Sequence, residues 1–123
     1  MKQTYSKKER LKSSKLIAEL IQAGRPIHTL PIKMFWKETA GEVPVHAAVT
    51  VSKKNFKSAV QRNLLKRRMR EAYRKNKQPL INVLHEKNKK VDLMFLHVSK
   101  ELSDYKKIEN GMISVMEKLQ AQL

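Results

Sequence analysis

The chain has 123 residues, with 27 Lys+Arg against 11 Asp+Glu and a formal net charge of +16. One domain over residues 1–123 is expected at this length, and a 41% hydrophobic content arranged in short periodic runs excludes a wholly disordered basic tail. The absence of cysteine excludes a disulfide framework, a thiolate zinc site and a cysteine nucleophile.

A reducing, cytoplasmic setting follows as the expectation. The charged N-terminal stretch lacks the apolar run of a signal peptide, and no segment approaches the ~18–20 apolar residues of a membrane span. A cationic excess of this size repels itself unless a polyanion meets it. Nucleic acid is therefore the favoured partner class, ahead of an acidic lipid surface, and no membrane partner is expected.

Residues 1–13 read as a basic N-terminal arm. From Ser14 the apolar residues Leu16, Ile17, Leu20 and Ile21 recur at helical spacing, and Gly24 and Pro26 end the run. Ile32 to Lys37 and Val45 to Val51 read as two strands, with Gly41 and Pro44 between them suggesting a hairpin. Residues 57–77 contain neither Gly nor Pro and predict a long helix, which Pro79 limits. The nearly continuous apolar run Val91–Val98 suits a central strand buried on both faces. Ser103 is positioned to cap a last helix in which Tyr105, Ile108, Met112, Val115 and Leu119 step by three or four. The predicted order is helix, strand, strand, helix, strand, helix, an α+β fold in one small domain.

The charge is concentrated. Residues 53–77 hold eleven Lys and Arg against Glu71 alone, so +10 of the +16 lies in 25 residues. At about 100° per residue, Asn63, Lys66, Arg67, Arg70, Arg74 and Lys77 share one arc of the helix, while Leu65, Met69, Ala72 and Tyr73 share another. A solvated helix face ordinarily interleaves Glu with Lys, whereas this arc holds no acid and prefers Arg, whose planar fork matches phosphate oxygens. A partner must supply the missing counter-charge. The four histidines, His28, His46, His85 and His97, have no metal-ligand spacing and read as ordinary strand or loop residues. No nucleophile motif, Gly-rich phosphate loop or carboxylate pair is present, so the protein itself reads as non-catalytic.

The segment Val49 to Asn76, VTVSKKNFKSAVQRNLLKRRMREAYRKN, resembles the bacterial ribonuclease P protein component. The residues that carry the likeness are Ser52, Lys53 and Lys54, then Ala59, Val60, Arg62 and Asn63, then Leu65, Lys66 and Arg67, then Arg70, Glu71, Ala72 and Tyr73. Arg10, Leu11, Lys12, Ile17, Ile21 and Gly24 echo a weaker N-terminal pattern of the same family. The resemblance implies a central mixed sheet of about four strands packed with helices, like the second domain of a small-subunit ribosomal protein. It also implies a left-handed crossover between the parallel strands that flank the basic helix, where generic rules favour a right-handed one.

In function, the resemblance implies a subunit that assists a catalytic RNA in removing the 5′ leader from precursor tRNA. Magnesium would be held by the RNA and substrate, with none bound by the protein, and the protein would be a monomer without RNA. Lys53, Lys54, Arg62, Asn63, Lys66, Arg67, Arg68, Arg70 and Arg74 would grip the catalytic RNA. A cleft between the sheet and the N-terminal helix, lined by Ile17, Ile21, Lys33, Phe35 and Ser52, would hold the leader.

This chain departs from the family pattern in three places. Leu64 stands where a motif Arg is usual, leaving an apolar patch with Val60. The loop from Lys54 to Arg62 is one residue longer than the common spacing. Ile17 and Ile21 occupy positions often aromatic in the family, so stacking on leader bases should be weaker, and plain core packing is an equal reading of both. Strand alternation puts Phe35 and Trp36 on opposite faces, with Lys33 beside Phe35; a cleft role is favoured over the core for Phe35, and Trp36 reads as a packing or a hydrophobic surface residue. Two other readings stay open: a ribosomal or other rRNA-binding protein, which needs the basic helix but no cleft, and a helix-turn-helix DNA regulator, which flanking strands argue against.

Overall fold

The computed structural model describes residues 14–123, with side chains from residue 17 onward; the basic arm and the Arg10–Leu11–Lys12 motif lie outside the described residues. The elements are α1 (Ser14–Ala23), β1 (Arg25–Thr29), β2 (Ile32–Glu38), β3 (Val45–Val51), α2 (Ala59–Asn76), α3 (Gln78–Lys87), β4 (Val91–His97) and α4 (Tyr105–Gln122). One four-stranded sheet has the order β1-β2-β4-β3, antiparallel except where β3 runs parallel to β4. The expected α+β class and four-stranded mixed sheet are thus observed, but the predicted element order is not.

Three differences have physical causes. The expected β2–β3 hairpin does not form, because β4 lies between these strands and pairs with both. A strand apolar on both faces takes the centre of a sheet, where helices cover it on either side. The hairpin is instead β1–β2, closed through Leu30 and Pro31. Its first strand is RPIHT, a short edge strand in which only Ile27 is buried, and it carries little apolar signal. Finally, Pro79 does not only limit the long helix: it sits in the first turn of α3, with Lys77 ending α2 and starting α3. Proline is favoured there because the N–H it lacks would have no helical partner. Lys77 is accordingly buried and leaves the cationic arc.

Strand alternation sorts the sheet into two faces. Ile32, Met34 and Trp36 of β2, Val91, Leu93 and Phe95 of β4, and Val45, Ala47 and Val51 of β3 face the main core. There they meet Leu65, Met69, Ala72 and Tyr73 of α2, Leu80 and Leu84 of α3, and Ile108, Met112, Val115 and Leu119 of α4. The apolar arc predicted for α2 is the one buried. On the opposite face Leu20 of α1 packs on Ala48 and Met94, with Ile17, Phe35 and Leu96 around them.

Asp104, not Ser103, caps α4, accepting from the Lys107 amide at 2.9 Å. Ser103 is buried instead, its hydroxyl 3.0 Å from His97 Nε2. Burial lowers the pKa of His97, and its ring tilts against Phe56 at 5.6 Å between centroids. Among the described residues no helix is long and apolar enough to cross a membrane.

Candidate nucleic-acid interface

The basic helix α2 starts at Ser58, whose side chain accepts from the Gln61 amide at 3.3 Å. Between β3 and this cap runs a loop that Arg62 holds. One guanidinium nitrogen, Nη1, donates to the carbonyls of Phe56 and Lys57, each at 2.8 Å. Phe56 is buried, so Arg62 ties a loop anchored in the core to the first turn of the helix. The loop also carries Lys53 and Lys54, both exposed, and the Lys54 amide donates to the Ser52 hydroxyl at 3.2 Å.

Along α2 the cations divide by what they touch. Arg68 sits on the flank away from the arc and donates to the Ser103 carbonyl at 2.6 Å. Arg74 pairs with Glu71, and Lys75 approaches the same carboxylate at 3.6 Å. The Arg74 hydrogen bond holds the Glu71 carboxyl below its usual range and raises the guanidinium in turn. Nearby, Asn76 Nδ2 and the Tyr105 hydroxyl donate to Glu109 at 3.1 and 3.0 Å, which lowers the Glu109 carboxyl. Burial, reinforced by Glu109, pushes the Tyr105 phenol up to about 12.

The C-terminal end of the arc is therefore partly balanced by Glu71, through its pair with Arg74. Asn63, Arg67 and Arg70 are exposed and Lys66 is half-exposed, and these three cations have no acidic partner among the described residues. Val60 is 78% exposed on the same helix, and Leu64 is half-buried. The apolar patch expected from that departure is present mainly at Val60.

The second face has different chemistry. Lys33, Phe35 and Lys37 of β2, Leu96, Met94 and Asp92 of β4, and Thr50, Ala48 and His46 of β3 form three cross-sheet rows by their registers. Lys33 Nζ stands 5.1 Å from the Phe35 ring centroid, the cation–aromatic pairing expected from alternation. Phe35 is half-buried beneath α1, which contributes the half-buried Ile17 to the same cluster, while Ile21 of that helix is 46% exposed. Trp36 is buried on the opposite face, the packing reading rather than the surface one, with the Arg25 guanidinium 5.4 Å from its ring. Ser52 follows β3 at the edge of this face. His46, read from the sequence as an ordinary strand or loop histidine, meets Asp92 here, with Nδ1 3.2 Å from Oδ1. The available signal was a single carboxylate inside the apolar run VDLMFLH.

No group of three His, Cys, Asp or Glu side chains able to hold a metal ion occurs among the described residues.

A model of the family described as Ribonuclease P matches residues 5–120, which spans both surfaces. The chain belongs to the ribonuclease P protein family. Among curated relatives it is similar to the ribonuclease P protein component of Porphyromonas gingivalis, 35% identical over 109 residues that cover 87% of this chain and 80% of that one. It is also 41% identical to the component of Chlorobium phaeobacteroides over 85 residues, 65% of this chain and 58% of the other.

Solved structures of the family share the fold at lower identity. The Staphylococcus aureus ribonuclease P protein aligns with a TM-score of 0.73 at 18% identity, covering 90% of this chain and 94% of that chain. The Thermotoga maritima protein gives 0.70 at 19% identity, covering 89% and 96%. Family membership gives the chain a role in ribonuclease P, and the small α+β domain is the family's fold.

Proposed function

We propose that this protein is the RNA-binding subunit of ribonuclease P, assisting a catalytic RNA in endonucleolytic removal of the 5′ leader from precursor tRNA. In this reading the chemistry, with its magnesium, belongs to the RNA and substrate, and the protein contributes binding and charge neutralisation. The observation that carries it is the run of Lys66, Arg67 and Arg70 without acidic partners among the described residues, on a helix entered through Lys53 and Lys54, in a member of this family. These residues and Asn63 grip the catalytic RNA through phosphate oxygens. Arg62 and Arg68 add the donors that their internal bonds leave over, since a guanidinium carries five, and Arg74 adds its positive charge.

The opposite face takes the single-stranded leader. Phe35 and Ile17 offer a half-buried apolar floor, Lys33 a cation beside the ring, and Ile21 and Ser52 the rims. An aromatic platform contributes about 1–3 kcal/mol per stacked base, and an aliphatic floor gives up part of that. Addition of the protein to a cognate catalytic RNA is expected to raise precursor-tRNA cleavage most at low magnesium, where phosphate repulsion is least screened. No effect across a magnesium series would overturn the assignment.

A further inference from the structure

Among the described residues, the row Lys37–Asp92–His46 is the one place where the sheet face beneath α1 carries a carboxylate. Asp92 is flanked on both neighbouring strands, by Lys37 of β2 and His46 of β3, and its side chain is only 15% exposed. His46 keeps 29% of its side chain exposed. An ionised carboxylate can only accept, so the imidazole Nδ1 at 3.2 Å must donate to it. In the neutral ring that leaves the lone pair of Nε2 as an acceptor, and Nε2 makes no hydrogen bond among the described residues.

The surroundings restrict what this acceptor suits. A phosphate is poorly matched to an acceptor beside a carboxylate, and the cations of this face, Lys33 and the exposed Lys37, are the better phosphate partners. The complementary group is a neutral hydrogen-bond donor. Gly41 of the β2–β3 connection lies against the ring: a Cβ there would stand 3.2 Å from His46 Cε1, so the connection and Asp92 together fix how the imidazole is presented.

We propose that His46, positioned by Asp92, is a specificity residue that accepts a hydrogen bond from a neutral donor on the single-stranded leader, a ribose 2′-hydroxyl or a base amine. This rests on the reading above that the leader lies on the α1 face. His46 touches the nucleotide; Asp92 is a positioning residue that acts through it.

The test uses the holoenzyme reconstituted from the full chain and cognate catalytic RNA, at about pH 8, above the ordinary range of imidazole ionisation. Precursor tRNAs carry single 2′-deoxy substitutions along the leader in one arm and single base-amine deletions, such as adenosine to purine riboside, in the other. Dissociation constants are measured for each. One leader position is expected at which removing a donor weakens wild-type binding by roughly 2- to 10-fold, the range of one ordinary hydrogen bond. The arm that responds identifies the donor.

His46→Ala and His46→Phe should each weaken binding of the unmodified substrate by a similar factor and abolish the sensitivity at that position. Asp92→Asn should blunt the sensitivity, because an amide can satisfy Nδ1 in either tautomer; a merely structural role would lower the melting temperature and leave it intact. If both His46 variants keep wild-type affinity, or keep the same sensitivity at every position, the proposal is overturned. If wild-type holoenzyme binds leader-bearing and mature tRNA equally, it is the leader reading itself that fails.

Discussion

Arg68 of α2 donates from Nη1 to the main-chain carbonyl of Ser103 at 2.6 Å, and the Ser103 hydroxyl lies 3.0 Å from His97 Nε2 at the end of β4. One cation of the basic helix thereby fastens that helix to the segment entering α4. Arg68→Ala leaves a partly buried carbonyl without its charged donor, a loss of about 1–3 kcal/mol by the usual cost of such deletions. Thermal or denaturant unfolding should show it. The same variant should change RNA affinity less than Arg70→Ala, because part of its guanidinium is already engaged.

Arg70 makes the contrasting case. It is exposed on the unbalanced part of the arc, so Arg70→Ala should leave the melting temperature unchanged and weaken binding to the catalytic RNA. Log affinity against log salt should flatten by about one. An unaltered slope places Arg70 outside the contact.

Arg62 should act through the backbone. Its two bonds to the Phe56 and Lys57 carbonyls hold the loop that enters α2, and the Phe56 amide donates to the Ser52 carbonyl at 3.1 Å. Arg62→Ala is expected to speed hydrogen exchange at Phe56 as well as to weaken RNA binding. Normal exchange with weakened binding would mean that Arg62 acts only at the RNA surface.

Gly24 controls the other layer. A Cβ at this position would lie 2.2 Å from the Leu20 carbonyl oxygen and 2.9 Å from Leu20 Cδ1. Leu20 is the buried anchor of α1, so Gly24→Ala must shift the helix end that seats it. A stability loss of about 1–3 kcal/mol is expected. Leader affinity should fall with it, while the salt slope for binding the catalytic RNA stays as in the wild type.

His97 gives a pH dependence of known sign. Burial lowers its pKa from the ordinary 6.5, so the unfolded chain binds more protons than the folded one as pH falls through that value. The contribution is fully present above 6.5 and is lost as pH drops through the lowered folded value. Unfolding free energy followed from neutral to mildly acid pH should decline, and His97→Gln, which cannot take up a proton, should decline less steeply.

The helices were legible where their apolar residues repeat: Leu65, Met69, Ala72 and Tyr73 fall on one arc by spacing alone, and they are the buried side of α2. Central placement of β4 was legible from its continuous apolar run. Its insertion between β2 and β3 was not, since pairing is decided across the sheet and local turn signals at Gly41 and Pro44 fit a hairpin equally well. β1 was silent because an edge strand needs only one buried residue.

At the basic surface the arc was legible, but the division of labour within it was not. Glu71 lies three residues from Arg74, so that pair was within reach of spacing rules. The attachment of Arg68 to Ser103 joins residues 35 apart in sequence, and only the packing of α2 on α4 brings them together. The meeting of His46 with Asp92 likewise depends on the β3–β4 register.

The position of β4 has a mechanical consequence. Its residues alternate between the layer that carries Arg70 and the layer that carries Ile17, so the two helices are held apart by one sheet and two shells of side chains. With packed layers about 10 Å apart, that separation is near 20 Å and cannot be shortened without unfolding the core. The domain works as a fixed-width spacer: whatever is bound on one face is kept at a set distance from whatever is bound on the other.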